Sequence, residues 1–434
     1  MSKIIIIGGG LTGLSAAYHL EQAGITDYTL FEKEPTVGGL CRSVTHDGFT
    51  FDYTGHLLHL NDPVCTALVN NTVGLNNFVT IARNSYIYSE QVYTRYPYQI
   101  NLHGLSAQTI ADCLTGFIRR PKNIPDTLWY QWVLKHFGTG FARHFFVPFE
   151  SKKLDFNAKK ITSDWTGRFV PATSLTQIIT GIQHTPEPTS VGYNAQFLYP
   201  RTGGIQFWTH AFARHIKKPI YTNSTVTKIN THTKTVTLSS GAVEPYTHLI
   251  STVPLDNLLD IITEQAHTNI KSARENLACA RVININMGIA RPPEDNKHWI
   301  YFPEKKYPCY RMGFYHNFSR ALVPENCQSL YAEFAVYNRS RSTITERIRK
   351  TRKAISEIVS LTAADIITEK ILDISHGYVI YNSWRAANLA TLLTRLEQEY
   401  QIRSIGRYGA WKYSSMQEAL QDGAYIAEAL REKI

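Results

Sequence analysis

The stretch Ile4-Ile5-Ile6-Ile7-Gly8-Gly9-Gly10-Leu11-Thr12-Gly13 decides the fold of this 434-residue chain. A short apolar run bounded by glycines fits a buried parallel strand, and the Gly-x-Gly-x-x-Gly that follows opens an apolar-periodic helix. Gly8 permits the tight turn, Gly10 lets the backbone approach a pyrophosphate, and Gly13 lets helix and strand pack closely. The helix N-terminus offers N–H groups and a positive dipole end to phosphates. The stretch therefore predicts a strand–turn–helix unit that binds a dinucleotide.

The residues that follow indicate which dinucleotide is bound. A second strand, Tyr28–Phe31, delivers Glu32 nineteen positions after Gly13, where an acid accepts hydrogen bonds from an adenosine ribose. The continuation Gly38-Gly39-Leu40-Cys41-Arg42 resembles the E-x-x-x-x-x-G-G-x-x-R/S pattern of FAD-binding oxidoreductases in the amine-oxidase and UDP-galactopyranose-mutase superfamily. Paired glycines let that loop pass close to the FAD pyrophosphate, although an ordinary Gly-Gly turn is the alternative for this pair alone. The resemblance predicts FAD as the cofactor.

Length and composition limit the class of protein. A chain of 434 residues exceeds what one core usually supports, so we expect two or three interlocked domains. The six cysteines lack C-x-x-C spacing, so neither a disulfide framework nor a zinc site is predicted. No signal-peptide pattern precedes the first strand, and no apolar run approaches the roughly 18 residues of a membrane span. We therefore expect a cytoplasmic protein with no transmembrane segment and no metal site.

The net charge of +10 raises the question of a polyanionic partner. The basic residues are scattered, and the run from Arg339 to Lys353 is typical of the solvated face of a helix. Because no basic tract is interleaved with aromatic residues, we predict no nucleic-acid partner. A small anionic substrate is compatible with the charge, and so is plain solubility.

The order of patterns along the chain predicts an α/β fold in which a Rossmann-like FAD-binding domain is assembled from discontinuous segments. Residues 1–61, 199–260 and 400–434 form that domain, because a Gly-rich loop, a buried strand and a final helix return to its pattern. Residues 62–190 form an inserted, mainly helical domain that contributes to the substrate site. Residues 261–399 alternate between apolar and polar positions and form a mixed or antiparallel sheet substrate domain. The candidate helices of the inserted domain are 106–117, 127–136 and 174–182, beside a polar hairpin-like stretch at 85–102.

From His56 onward a series of motifs resembles UDP-galactopyranose mutases, the eukaryotic type above all, over most of the chain. Each motif is short, but their order and spacing argue against chance similarity. They are Tyr96–Gln99 (YPFQ in the family), Phe137–Ala142 (MGTGIA), Trp299–Glu304 with Pro308–Arg311 (WLYFPE and PFYR), His376–Tyr378 (HGY) and Gly406–Tyr413 (GRFGSWRY).

The resemblance implies a chemistry without net redox change. In this family reduced flavin attacks the anomeric carbon of UDP-galactopyranose, UDP leaves, and the sugar opens and recloses as the furanose. A leaving diphosphate needs cationic partners, and arginine binds phosphate bidentately while it stays charged. Arg311 and Arg407 stand where the family has its two pyrophosphate arginines, and His56 matches the histidine that touches the flavin. These three residues are the predicted catalytic set.

The same resemblance implies the other site residues and the partner. The substrate-binding residues are Tyr96, Gln99, Asn194, Tyr301, Tyr378 and Tyr413, of which the first two hold the base and the others lie near the diphosphate. The cofactor-binding residues are Gly8, Gly10, Thr12, Gly13, Glu32, Lys33, Gly39, Leu40, Arg42, Gly55, His56, Val226, Arg407 and Met416. The implied partner is a small nucleotide-diphosphate sugar. NADPH or NADH is the candidate reductant that keeps FAD in its active, reduced form.

Several positions depart from the family pattern at the nucleotide end of the site. Where the family reads RPYNFKVW, this chain has Val147–Leu154, which puts Glu150 in place of a nucleotide-contacting asparagine and Leu154 in place of a tryptophan. A desolvated carboxylate facing a diphosphate would cost up to roughly a few kcal/mol. Phe318 replaces a phosphate tyrosine, and the substrate arginine is displaced by one position, to Arg168. We therefore expect a nucleotide sugar that need not be UDP-galactopyranose itself.

Purely structural interpretations of the same residues stay open. A tyrosine in a mixed sheet is commonly core, an arginine after a strand is commonly a surface charge, and a lone histidine is commonly a satisfied buried group. The FAD fold also serves oxidoreductases of the amine oxidase and protoporphyrinogen oxidase type, and a fold does not determine function. Two hypotheses therefore follow, a non-redox nucleotide-sugar isomerase and an FAD-dependent oxidoreductase, with a catalytically idle FAD-binding protein as a third.

Overall fold

The computed structural model describes residues 3–167, 169–183, 195–263 and 268–432. Within these ranges the chain forms one parallel sheet, one large mixed sheet and three small sheets. The strands are β1 (Ile4–Ile7), β2 (Tyr28–Phe31), β3 (Ser43–His46), β4 (Phe49–Asp52), β5 (Phe78–Ala82), β6 (Ser85–Ser89), β7 (Val92–Arg95), β8 (Gln196–Pro200), β9 (Ile220–Tyr221), β10 (Val226–Asn230), β11 (Thr235–Leu238), β12 (Val243–Pro245), β13 (His248–Ser251), β14 (Cys279–Ile289), β15 (Trp299–Tyr301), β16 (Arg311–Gly313), β17 (Gln328–Val336), β18 (Ile366–Val379) and β19 (Ile402–Ser404).

The described ranges also contain thirteen α-helices. They are α1 (Leu11–Gln22), α2 (Pro63–Thr72), α3 (Ala107–Ile118), α4 (Trp129–Phe141), α5 (Val147–Leu154), α6 (Leu175–Gln183), α7 (Gln206–Ala213), α8 (Leu255–Ile261), α9 (Thr268–Asn276), α10 (Arg341–Ile358), α11 (Ser383–Tyr400), α12 (Gly406–Gly409) and α13 (Met416–Arg431).

The parallel sheet carries the N-terminal glycine motif. Its five strands run in the order β19-β13-β1-β2-β9, and every pair is parallel. The central strand β1 is entirely apolar and buried, as expected for a parallel strand covered on both faces. Helices α1 and α13 pack closely, since a Cβ on Gly423 would lie 2.5 Å from the Ala16 nitrogen. The predicted α/β fold, with its parallel sheet built from separated segments, is confirmed.

The mixed sheet forms the floor of the second half of the molecule. Its order is β18-β14-β17-β16-β15-β6-β7, and its pairs are antiparallel except for β15 with β6. Strand β17 is buried along its whole length, so any polar side chain on it faces protein or ligand. The register places Tyr301 of β15 directly opposite Arg311 of β16.

The segment 62–190 is less uniformly helical than the sequence predicts. Its predicted helices are present as α3, α4 and α6, but β5, β6 and β7 also lie in it. The hairpin β6–β7 joins the edge of the mixed sheet through β15. Alternate residues of Ser85–Ser89 are buried, and this period of two is the pattern of a sheet strand. The domain boundaries themselves stay a prediction.

Close helix packing explains the glycines of the Phe137–Ala142 motif. A Cβ on Gly138, which has a φ of +80°, would collide with the carbonyl oxygen of Gly116 on α3. A Cβ on Gly140 would collide with the carbonyl oxygen of Asp112 on the same helix. Helix α4 then continues through a π-helical turn into α5. The motif therefore sets the position of α5, which borders the candidate site.

No helix within the described ranges is both long enough and apolar enough to cross a bilayer. Over the same residues no group of three or more His, Cys, Asp or Glu side chains is arranged to hold a metal ion. The six cysteines form no disulfide with one another, and four of them are buried.

Candidate functional site

Two glycine loops meet at the carboxyl end of β1. The Gly38 N–H donates to the Gly9 carbonyl at 2.8 Å, and a Cβ on Gly39 would lie only 3.2 Å from the Gly10 Cα. A Cβ on Gly13 would collide with the backbone at the start of the motif, so only glycine lets α1 close on the turn. Helix α1 begins without a side-chain cap, which leaves its first N–H groups for a ligand. This cradle has the shape and polarity that a diphosphate requires.

Glu32 is buried beside the cradle. Its Oε2 accepts the Gly9 N–H at 2.6 Å, and its Oε1 accepts the Glu34 N–H at 2.8 Å. Each carboxylate oxygen has a second lone pair, so Glu32 retains the capacity to accept a ribose hydroxyl. Arg42 donates from Nε to the Gly39 carbonyl at 2.7 Å and braces the second glycine loop.

The other predicted cofactor residues lie around this cradle at different depths. Thr12 packs against Gly406, where an added Cβ would lie 2.8 Å from the Thr12 Oγ1. Val226 and Met416 are buried at the first positions of β10 and α13. Leu40 is half-buried and Lys33 is exposed, 3.7 Å from Glu34.

Gly55 and His56 connect the cradle to the mixed sheet. A Cβ on Gly55 would collide with the Tyr331 hydroxyl of β17, so this loop lies directly on the sheet. Burial, followed by the positive charges of Arg407 and Arg311, lowers the pKa of His56 to about 4. The backbone of Tyr53 and Thr54 opposes part of this shift, but within the described residues no group has hydrogen-bond geometry to the buried Nδ1. An orphaned ring nitrogen beside a diphosphate cradle fits an edge of the flavin of FAD.

Arg311 is held by the carboxylate of Glu333, which none of the sequence motifs indicated. Its Nε and Nη2 donate to Glu333 at 3.0 and 2.8 Å, and Glu333 is fully buried opposite it on β17. The Tyr310 hydroxyl donates to the same carboxylate at 2.6 Å. This fork fixes the guanidinium and leaves Nη1 for a ligand. An acid inside the apolar run of β17 was the signal that could have revealed it.

Arg407 is held differently, by backbone and aromatic rings. Its Nη1 donates to the Ser414 carbonyl at 2.7 Å, and its Cζ lies 5.6 Å from the ring centroids of both Tyr408 and Tyr413. In the described part of the chain no carboxylate forms an ion pair with it. Burial first, then the charge of Glu150, raises the pKa of Tyr413 well above its usual range. Tyr413 is therefore a protonated hydrogen-bond donor at neutral pH.

Tyr301 lies opposite Arg311 in the mixed sheet, and Tyr96 packs beside Tyr301. Their ring centroids are 5.5 Å apart, and Phe149 of α5 packs edge-on to Tyr301 at 5.1 Å. The Arg83 guanidinium lies 4.5 Å from the Tyr96 ring, in cation–π geometry. Burial raises the pKa of Tyr96 to about 12, so this phenol also keeps its proton.

The positions still to be described are the predicted substrate residues Gln99 and Asn194 and the departures Phe318 and Arg168. Gln99 is buried and uses its amide N–H on the Pro171 carbonyl at 2.7 Å. Phe318 is buried in an aromatic core cluster and contacts Phe197, among others. Asn194 and Arg168 lie outside the described residues.

Helix α5 carries the departures at the nucleotide end. Leu154 is fully buried in the core. Glu150 is buried, and its Oε1 lies 2.8 Å from the ammonium of Lys153, one turn along the helix. The carboxylate expected to repel a diphosphate is therefore compensated by a cation. The Lys153 Nζ lies near the ring centroids of Trp165 (5.2 Å), Tyr378 (5.2 Å) and Tyr413 (5.7 Å).

Lys152 anchors the same helix to the loop between β15 and β16. Its Nζ donates to the carbonyls of Phe302 and Glu304 at 2.6 Å and to that of Cys309 at 3.0 Å. Burial lowers the pKa of this ammonium to about 8. Because the loop connects Tyr301 to Arg311, Lys152 acts on the site through the backbone.

The chain matches the model of one known protein family over most of its length. The model of the flavin-containing amine oxidoreductases matches residues 11–365. The chain belongs to this family.

Solved structures are similar over the whole chain. The crystal structure of reduced UDP-galactopyranose mutase is 27% identical, covers 100% of this chain and 94% of its own, and superposes with a TM-score of 0.91. A fatty acid isomerase from P. acnes that produces CLA is 14% identical with a TM-score of 0.68, covering 99% and 98% of the two chains. A redesigned putrescine oxidase is 16% identical with a TM-score of 0.66 and the same coverage. The last two show the fold alone, whereas the first confirms the family resemblance stated from the motifs.

Curated relatives match over short stretches. An uncharacterized protein of Methanothermococcus thermolithotrophicus, from the nifH2 3' region, is 47% identical over 70 residues, which cover 16% of this chain and 67% of that protein. The 4,4'-diapophytoene desaturase (4,4'-diaponeurosporene-forming) of Staphylococcus aureus (strain COL) is 36% identical over 89 residues, or 20% of this chain. The aligned stretch spans about a sixth (17%) of the desaturase.

Proposed function

We propose that the protein is a flavin-dependent nucleotide-sugar mutase that interconverts the pyranose and furanose forms of a sugar carried on a nucleotide diphosphate. The observation that carries the proposal is the convergence of Arg311 and Arg407 on His56. Tyr331 joins two of these residues, because the Arg311 guanidinium lies 5.8 Å from its ring centroid and a Cβ on Gly55, next to His56, would collide with its hydroxyl. The positive charges of Arg407 and Arg311 also lower the pKa of His56. Two permanent cations and a candidate flavin contact therefore share one site.

A pair of fixed arginines suits a reaction in which a diphosphate leaves. Negative charge grows on the leaving oxygen, and cations already in place stabilise it without reorganisation. Glu333 holds the Arg311 guanidinium before any ligand arrives. The protonated phenol of Tyr413 and the Tyr301 side chain border the same site as hydrogen-bond donors.

The cofactor proposed for this site is FAD, with NADPH or NADH as its reductant. The cradle of Gly10, Gly13 and Gly39 would accommodate the diphosphate, Glu32 would accept a ribose hydroxyl, and the Nδ1 of His56 would face the flavin. Reduced FAD would supply the nucleophile for the anomeric carbon and would be regenerated in the same turnover. Because burial lowers its pKa to about 4, His56 is neutral at pH 7 and would orient the cofactor without adding a charge beside the two arginines.

An FAD-dependent oxidoreductase is the second candidate. It is favoured by the family to which the chain belongs and by the stretch shared with the desaturase. Such an activity on an amine or hydrocarbon calls for an apolar flavin cavity without an arginine pair. The presence of Arg311 and Arg407 beside His56 favours the mutase.

The two candidates differ in what one turnover consumes. The FAD-loaded protein, reduced with dithionite under anaerobic conditions, is offered a panel of UDP-, GDP- and TDP-hexoses, and the products are separated by chromatography. We expect many turnovers of pyranose–furanose exchange with the reduced protein and none with the oxidised protein. Consumption of one electron acceptor for each product would establish the oxidoreductase instead.

A further inference from the structure

Helix α5 places a third cation among the tyrosines proposed to hold the diphosphate. The Lys153 ammonium lies 5.2 Å from the ring of Tyr378 and 5.7 Å from that of Tyr413. Arg407 lies 5.6 Å from the same Tyr413 ring. The Lys153 side chain is 15% exposed, so a ligand has access to it from solvent. Lys153 and Arg407 therefore share Tyr413 as a common neighbour within one site.

The hydrogen-bond donors of Lys153 are unused, unlike those of its neighbour. Lys152 donates to three backbone carbonyls. The contact between Lys153 and Glu150 is an ion pair by distance, but its angles are not those of a hydrogen bond. Over the residues that the structure describes, none accepts a hydrogen bond from the Lys153 ammonium. A half-buried ammonium that has one ion-pair partner and still has N–H groups to spare is a ready anion ligand.

Glu150 explains why this cation stays in place. Removal of an ammonium from water is costly, and a carboxylate one helical turn away offsets part of that cost. The three surrounding rings attract the cation further. A ligand phosphate would meet an ammonium already oriented by Glu150 and would complete its hydrogen bonds.

We propose that Lys153 is a specificity-determining residue that contacts the diphosphate of the substrate, and that Glu150 is its positioning residue. The inference rests on the proposed nucleotide-sugar function, because it takes the ligand to be a diphosphate. Lys153 and Glu150 act as a pair: the lysine supplies charge to the ligand, and the glutamate holds the lysine while weakening net attraction for anions.

The pair is tested with variants that separate the two roles. Lys153→Met alone leaves Glu150 buried without a partner, so the informative comparison is Glu150→Gln with the double variant Glu150→Gln/Lys153→Met. Lys159→Met is the matched control, because Lys159 also lies over a tyrosine ring (4.5 Å from that of Tyr130) but is exposed. Binding of UDP, inorganic pyrophosphate and uridine to the FAD-loaded protein is measured by isothermal titration calorimetry.

We expect the double variant to bind UDP and pyrophosphate about tenfold to a hundredfold more weakly than Glu150→Gln does, as for loss of a charged hydrogen bond. Glu150→Gln should bind both anions more tightly than the wild type, because removal of a nearby negative charge outweighs the looser hold of a neutral amide on Lys153. Uridine, which has no phosphate, should bind all variants equally, and Lys159→Met should match the wild type.

The outcomes separate this inference from the proposed function. If the wild type isomerises a nucleotide sugar but the double variant binds UDP as tightly as Glu150→Gln, Lys153 has only a structural role and the inference fails alone. If pyrophosphate binding depends on Lys153 but no sugar is isomerised, the inference stands and the proposed function fails. A wild-type protein that binds neither UDP nor pyrophosphate would overturn both.

Discussion

At the scale of single residues, Arg311 and Arg407 have the same proposed role but different supports. Arg311 is one half of a buried bidentate ion pair with Glu333, whereas Arg407 donates to the Ser414 carbonyl and packs against tyrosine rings. A buried ion pair contributes little net stability, but removal of one partner leaves an uncompensated charge. The two arginines should therefore differ in how their removal affects folding.

The first prediction concerns this difference. Arg311→Ala should lower the free energy of unfolding by about 3–5 kcal/mol because Glu333 loses its partner, whereas Arg407→Ala should cost only about 1 kcal/mol. Both should lower kcat/KM by roughly a hundredfold or more. Urea unfolding and steady-state kinetics on the true substrate measure the two effects.

The double variant Arg311→Ala/Glu333→Gln is the control. It should recover most of the stability lost in Arg311→Ala and none of the activity. Equal stabilities for Arg311→Ala and the double variant would show that Glu333 is not held in place by Arg311.

The second prediction concerns His56 and pH. Burial lowers the pKa of His56 from 6.5 to about 4 in the folded state, so between these values the unfolded chain takes up a proton that the folded protein does not. Stability from this group is therefore present above pH 6.5 and is lost as pH falls towards 4, by about 3 kcal/mol in all. The difference in unfolding free energy between wild type and His56→Gln should shrink by that amount between pH 7 and pH 4. A difference independent of pH would contradict a neutral buried ring.

At the scale of elements, two contacts set the geometry of the site. The turn between β1 and α1 closes only because Gly13 has no side chain. Helix α5 is tied to the loop between β15 and β16 by the ammonium of Lys152. The first contact shapes the cofactor cradle, and the second positions Tyr301 and Arg311.

The third prediction is that Gly13→Ala loses FAD. The added Cβ would collide with the Gly8 carbonyl oxygen and push α1 away from the turn. Gly167→Ala is the matched control, since no atom lies within 4 Å of the Cβ it would add. Absorbance of the purified proteins near the flavin band measures bound FAD, and equal flavin content in both variants would contradict the cradle.

The fourth prediction is that Lys152→Met destabilises the loop between β15 and β16, although Lys152 is not itself a proposed ligand-binding residue. Three carbonyls would lose their donor, which should lower stability by about 2–3 kcal/mol. Hydrogen exchange should speed up in the loop between β15 and β16, and Lys160→Met, an exposed neighbour, should leave it unchanged. Unaltered exchange in the loop of Lys152→Met would show that α5 does not anchor it.

At the scale of the whole molecule, the candidate site lies where the parallel and mixed sheets meet. The cradle comes from the first forty residues, the arginines from β16 and α12, and the loop of Gly55 and His56 lies against β17. A cofactor that contacts all of these segments would link elements far apart in the chain.

The fifth prediction follows from that linkage. FAD at about a thousand times its Kd should add about 4 kcal/mol to the unfolding free energy, because only the folded chain presents the site. Thermal unfolding with and without FAD measures the change. Identical unfolding temperatures for flavin-loaded and flavin-free protein would contradict a cofactor that bridges the two sheets.

The sequence by itself determined the parallel sheet and the glycine turn that opens α1, and it predicted the diphosphate cradle and the class of cofactor. These depend on short-range spacing: the glycines at positions 8, 10 and 13, the acid at position 32 and an apolar strand lie within one strand–turn–helix–strand unit. The motifs carrying Arg311, Arg407 and His56 were indicated by their resemblance to a known family, and the roles of these residues stay a prediction.

Only the tertiary structure decided what holds the site residues. Glu333 meets Arg311 through strand register, and Lys153 meets Trp165, Tyr378 and Tyr413 from three separate parts of the chain. The edge position of β6 and β7 in the mixed sheet likewise arises from pairing with β15, more than 200 residues away. Such contacts depend on burial and register between distant segments, and local spacing contains no information about either.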